Sequence, residues 1–91
     1  MGEIASKAEY PNHVWSYDFV EGRTERGKLR ILVVIDEYTR ECLSLRIAPS
    51  IPASMVVEVL EWLLLVHGIP KYIRSDNGPE FVAKAVCQVM L

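Results

Sequence analysis

Ile73-Arg74-Ser75-Asp76-Asn77-Gly78-Pro79-Glu80-Phe81 opens as a short strand, ends that strand on an aspartate, and passes at once into turn chemistry. Its counterpart near the start is Trp15-Ser16-Tyr17-Asp18-Phe19-Val20. Alternation there puts Trp15, Tyr17 and Phe19 on one strand face and Ser16 and Asp18 on the other. Aspartate is disfavoured in mid-strand, and a carboxylate among apolar neighbours is costly unless it is paired or binds a cation. Asp76 falls at the carboxyl end of its strand, the usual place for sites in open α/β sheets. Whether the two aspartates meet depends on what lies between them.

The intervening pattern predicts strands over Val14–Val20, Leu29–Asp36 and Glu41–Ala48. A polar loop with Gly22 and Gly27 separates the first two, and the turn Glu37–Arg40 separates the second pair. Ile31-Leu32-Val33-Val34-Ile35 is apolar without alternation, as in a central strand covered on both faces. The third strand alternates Leu43, Leu45 and Ile47 against Cys42, Ser44 and Arg46, so one side is more exposed. Pro52 in the first turn and Gly68 just past the last bracket a helix over Ala53–His67. Its polar positions Ser54, Glu58 and Glu61 form only a narrow stripe, and Trp62 and the leucines read as core. Lys71–Ser75 is a fourth strand, and a second helix is expected from Pro79 to the chain end. Three short-looped strands make an antiparallel meander, and a right-handed helical crossover leads to a parallel fourth strand. With the fourth strand beside the first, Asp18 and Asp76 become neighbours. This α/β order, β-β-β-α-β-α, resembles a ribonuclease H-like arrangement, truncated inside its last helix. Residues 1–13 read as a leader or arm, and residues 14–91 as a partial core.

Two carboxylates a few ångströms apart repel unless a proton or a cation lies between them. Mg2+ (or Mn2+) suits that place, since it takes hard oxygen ligands and retains exchangeable waters. Paired metal ions of this kind support phosphoryl transfer. The bland alternatives are definite. Asp76-Asn77-Gly78-Pro79 also reads as a turn and helix start, with side chains satisfying free N–H groups. Asp18 also reads as a strand residue paired with a nearby Lys or Arg.

Four segments add to this reading: Trp15 to Val20, Val34-Ile35-Asp36-Glu37-Tyr38-Thr39-Arg40-Glu41-Cys42, His67-Gly68-Ile69-Pro70, and Arg74 to Phe81. In this order and at these spacings the chain resembles the retroviral-integrase-like catalytic core of insertion-sequence transposases, over roughly Pro11 to Leu91. The resemblance implies that Asp18 and Asp76 are the first two members of an Asp-Asp-Glu triad holding Mg2+ or Mn2+. It also implies DNA cleavage and strand transfer, with DNA (transposon ends and target) as the partner of the full-length protein. The family's glutamate lies on a later helix, farther from the second aspartate than the 15 residues that follow Asp76 here. Glu80 belongs to the Asn-Gly-Pro-Glu-Phe segment and does not replace it. The expectation is a catalytic-core fragment that is inactive alone.

The 91 residues are 51% hydrophobic, with ten basic and twelve acidic side chains, so no basic face announces a self-sufficient nucleic-acid binder. No apolar run reaches the length of a bilayer span and no signal peptide is visible, which points to a cytoplasmic protein without a membrane partner; the resemblance implies a bacterial one. Cys42 and Cys87 lack metal-ligand spacing and read as reduced thiols. Asp36 reads as structural, or as adjacent to a metal; His67 reads as a helix-end cation; nothing gives His13 a metal-binding partner. Arg23, Arg26, Lys28 and Arg30 gather around the first hairpin, either solvated or against phosphates. The apolar excess predicts a homodimer or higher oligomer. A competing reading is a non-catalytic self-association module on the same scaffold. A phospho-accepting switch domain would need regular βα alternation, which the three-strand opening lacks.

Overall fold

The computed structural model describes residues 7–75 and, through their backbone pairing, 80–82. The elements follow as β1 (Val14–Thr24), β2 (Gly27–Asp36), β3 (Cys42–Ala48), α1 (Ala53–His67), β4 (Tyr72–Ser75) and β5 (Glu80–Val82). They form one sheet in the order β3-β2-β1-β4-β5. β1 pairs antiparallel with β2, β2 antiparallel with β3, and β1 parallel with β4. The meander, crossover helix and parallel fourth strand therefore stand as the sequence pattern predicts. Asp76 and the segment after Val82 lie outside the described residues, as does Cys87.

Two differences concern strand ends. The polar stretch Glu21–Lys28 is not a loop: the β1–β2 ladder runs out to Thr24↔Gly27, leaving a turn of Glu25 and Arg26. Ladder hydrogen bonds need no apolar face, so periodicity alone misses this extension. Gly27, at φ 129°, supplies the backbone conformation that closes the turn. Similarly, Glu80–Val82 was expected inside a helix and is a short strand antiparallel to β4, with Ile73↔Phe81 and Arg74↔Glu80 in register. An edge strand exposes a row of unpaired backbone groups, and this segment pairs with them.

The core sits on one face of the sheet. Trp15 from β1, Leu32 and Val34 from β2, and Ile73 from β4 meet Val59 and Leu63 from α1. Trp15, Leu32, Leu63 and Val34 are fully enclosed. Helix α1 begins and ends where Pro52 and Gly68 predict, and the Gly68 N–H donates to the Leu64 carbonyl at 3.0 Å. Only one stripe of α1 can reach the sheet. Trp62 is therefore not core: it is 59% exposed and Leu65 is 85% exposed, with Val57 and Val66 beside them. On β3 the exposed side is the apolar one, Leu45 and Ile47. They pair with Val33 and Ile31 on the face away from α1, and a bulge between the Val34 and Ile35 pairs sets Leu43 against the core. No helix among the described residues is long and apolar enough to cross a membrane.

The residues just before β1 are tied to the body. Ala8 and His13 are buried. His13 stacks on Tyr10 with ring centroids 4.3 Å apart, meets Tyr72 edge-on, and accepts the Glu9 N–H at Nδ1. Asn12 accepts from the Trp15 indole at 2.7 Å and donates to the His67 carbonyl. His13 therefore serves packing. His67 lies exposed in the last turn of α1, edge-on to Trp15.

Candidate functional site

Strand β1 carries Ser16, Asp18 and Val20 on the face opposite α1, because Trp15, Tyr17 and Phe19 are drawn into or against the core. Asp18 is consequently exposed although it sits mid-strand. One carboxylate oxygen accepts the N–H of the adjacent Phe19 at 2.9 Å, its one hydrogen bond among the described residues. The carboxylate keeps further acceptor capacity, and its hard oxygens suit Mg2+ or Mn2+.

The parallel ladder beside it reads Val14↔Tyr72, Trp15↔Ile73, Ser16↔Arg74 and Tyr17↔Ser75. Asp18 follows Tyr17 directly, and Asp76 follows Ser75 directly. Asp76 itself lies outside the described residues. Among the described residues no three His, Cys, Asp or Glu side chains gather as a cation site.

Immediately N-terminal to Asp18 on the same face is a cluster that sequence reasoning missed. The Arg74 guanidinium donates to both carboxylate oxygens of Glu37, from Nε at 2.8 Å and from Nη2 at 2.5 Å. The Ser16 hydroxyl donates to the same carboxylate. Both ends of the ion pair are largely enclosed, their side chains 18% and 17% exposed. The Arg74 hydrogen bonds hold the Glu37 carboxyl below the ordinary glutamate value, outweighing partial burial, with Ser16 and the Arg40 charge adding in the same direction. Glu37 is itself anchored, its N–H donating to the Val14 carbonyl at 3.0 Å. In the sequence Glu37 looks like one more polar turn residue. The available signal was Arg74, a cation inside a strand that needs a partner.

Asp36 is structural. It is 4% exposed, and its carboxylate accepts the N–H groups of Asn12 at 2.7 Å, Tyr38 at 2.9 Å and Thr39 at 3.2 Å. These bonds shape the β2–β3 turn, in which Arg40 takes φ 65°, and tie the residues before β1 to it. The basic hairpin residues do not act as one patch. Arg23, Arg26 and Lys28 are exposed, whereas Arg30 is half-buried with its guanidinium 4.7 Å above the Phe19 ring. Cys42 is a free, exposed thiol on the edge strand β3.

Residues 8–90 match the family model of the integrase core domain. The chain is 36% identical over 76 residues to an uncharacterized 39.2 kDa protein of insertion element IS476 from Xanthomonas euvesicatoria, covering 82% of this chain and 22% of that one. It is 35% identical to a 31.7 kDa protein of insertion element IS407 from Burkholderia multivorans, covering 86% and 28%. The chain thus spans about a quarter of the length of these relatives. Among solved structures, the HTLV-2 integrase catalytic core domain in complex with magnesium superimposes with a TM-score of 0.66 at 22% identity, over 80% of this chain and 49% of that one. A chain of the simian T-cell lymphotropic virus intasome gives a TM-score of 0.70 at 22% identity, over 92% and 33%. The likeness shows the fold: the sheet and its crossover helix are ribonuclease H-like, as in retroviral integrase cores.

Proposed function

Since this chain belongs to the integrase core domain family, we propose that it supplies two carboxylates, Asp18 and Asp76, to a divalent-cation site for DNA cleavage and strand transfer. One observation carries the proposal. Among the described residues, an exposed aspartate that meets only the N–H of its own neighbour sits mid-strand on β1, one step past Tyr17↔Ser75, the last described pair of the parallel ladder, and in the sequence Asp76 follows Ser75.

Asp18 and Asp76 are the residues that would hold Mg2+ or Mn2+. Such an ion polarises a phosphodiester and lowers the pKa of a bound water. The described part of the chain contributes an exposed carboxylate, Asp18, held on a central strand of the sheet, so that its charge is in place before DNA arrives. In this reading DNA is the partner, and a cytoplasmic location accompanies it. Titration of the chain with Mn2+, followed by paramagnetic broadening of amide signals, tests the proposal. Broadening centred on Asp18 and Phe19 that Asp18→Asn abolishes supports it, and uniform or absent broadening rejects it.

A second reading rests on the exposed apolar face of α1, where Trp62 and Leu65 stand open. In it the scaffold serves self-association as a homodimer or higher oligomer, and the aspartates bind nothing. Cation affinity separates the two.

A further inference from the structure

We propose that Arg23, Lys28, Arg30 and Arg46 form a docking surface for the phosphate backbone of duplex DNA, on the sheet face opposite to Asp18. The choice of DNA as the polyanion rests on the proposed function, while the surface itself uses no residue of the cation site.

Strand register assembles this row, and its membership differs from the hairpin cluster visible in the sequence. Pairing of β1 with β2 runs without a break from Trp15↔Asp36 to Thr24↔Gly27. Glu21 and Arg23 therefore share the core-side face with Trp15, Tyr17 and Phe19. On that face Arg23 stands directly opposite Lys28, and Glu21 directly opposite Arg30. The Arg30 guanidinium, 4.7 Å above the Phe19 ring, lies on the same side. Strand β3 adds Arg46, the direct partner of the enclosed Leu32, whereas Arg26 stays in the turn. Direct cross-strand partners have Cβ atoms about 4.5–5.5 Å apart, and diagonal neighbours are about 7–8 Å apart. Lys28 and Arg30 are two residues apart on one strand, about 6.6 Å. The four cations thus follow one another across three strands without a gap.

Nothing in the described protein consumes their charge. Among the described residues, none of the four side chains makes an ion pair or a hydrogen bond. Arg30 is held by the Phe19 ring instead, and its buried Nε has no hydrogen-bond partner there. Arg23, Lys28 and Arg46 are exposed. Glu21 is the one carboxylate among the strand residues of the row, so positive charge prevails. Like charges directly opposite on a ladder are destabilising, and Arg23 and Lys28 carry that cost. A polyanion laid along the row relieves the repulsion and releases its own counterions. The concentration is local, because the whole chain has ten basic and twelve acidic residues. Contacts of this kind position a duplex and carry no sequence information.

Fluorescence anisotropy of the 91-residue chain with a short labelled DNA duplex, in EDTA and over a series of salt concentrations, tests the proposal. EDTA takes the cation site out of the measurement. The parent should bind at low salt and lose affinity as salt rises. Lys28→Gln and Arg46→Gln, at exposed positions, should each lower the salt slope by about 0.9, equally for two unrelated duplex sequences. Glu21→Gln should tighten binding severalfold, an outcome that no loss of structure produces. Lys71→Gln removes the same charge at the opposite end of β1, beside His13, and should leave binding unchanged. No binding at low salt, or equal losses in Lys71→Gln and Lys28→Gln, overturns the docking surface. If it fails in this way while Mn2+ still broadens the Asp18 signal, the proposed function stands without it. If Mn2+ leaves Asp18 untouched and the duplex binds as expected, the surface stands and the cation reading falls.

Discussion

Arg74 and Glu37 meet through two parallel hydrogen bonds, at 2.8 and 2.5 Å, joining β4 to the turn after β2 across the width of β1. The contact spans 37 residues of sequence and closes the corner of the sheet on which Asp18 stands.

Its charge gives the fold a pH dependence whose sign follows from the lowered Glu37 pKa. A carboxylate with a depressed pKa in the folded state stabilises the fold above the unfolded glutamate value, and this contribution is lost as pH falls through the lower, folded value. Denaturation midpoints measured from neutral pH into the acid range should therefore fall in the chain and fall less steeply in Glu37→Gln. Equal slopes would mean that the pair is not populated in solution.

The two aspartates of known position should respond oppositely to substitution. Asp36→Ala leaves three part-buried N–H groups without their acceptor; a fully buried unsatisfied donor costs about 1–3 kcal/mol, and water reaches those of exposed Tyr38 and Thr39 in part. A loss of about 1–3 kcal/mol is expected by urea denaturation. Asp18→Asn removes an exposed group with one local contact and should stay within about 0.5 kcal/mol. A large loss at Asp18 would give it a structural role and weaken the cation-site proposal.

Helix α1 presents Trp62 and Leu65 to solvent. Patches of this kind drive association. Leu65→Glu should shift the chain toward monomer in sedimentation velocity while circular dichroism stays unchanged. A monomeric parent at high concentration would remove α1 as an association surface.

Gly68 takes φ 82° and ψ −179°, a backbone region nearly closed to other residues. The space around it is open, since an added Cβ would meet only the Asn12 Nδ2 at 3.9 Å. Gly68→Ala should therefore cost about 1–3 kcal/mol through backbone strain alone, read as a lower melting temperature with an unchanged core spectrum.

Much of this was legible in the residues. Alternation in Trp15–Phe19 and the apolar run Ile31–Ile35 identify the strands, and Pro52 with Gly68 frames α1, because these signals are local. Asp18 stood out for the same reason, a charge where strand propensity disfavours one. The extra length of the β1–β2 hairpin was hidden, since backbone pairing continues through polar residues. The strand at Glu80–Val82 was hidden too: it depends on the open edge of β4 and not on its own pattern. Exposure of Trp62 could not be read from a helix that is apolar almost all round.

By itself, then, the sequence determined β1 to β4 and α1 as strands and helix, their order, and which aspartate is out of place, because near-neighbour periodicity and propensity dictate these. Only the tertiary structure decided that Ser16, Glu37 and Arg74 share one point, that Asp36 is a buried acceptor for three backbone donors, and which side of α1 reaches the sheet. Those outcomes depend on contacts between residues far apart in the chain. Their free energy appears only once the sheet has closed and its register is set.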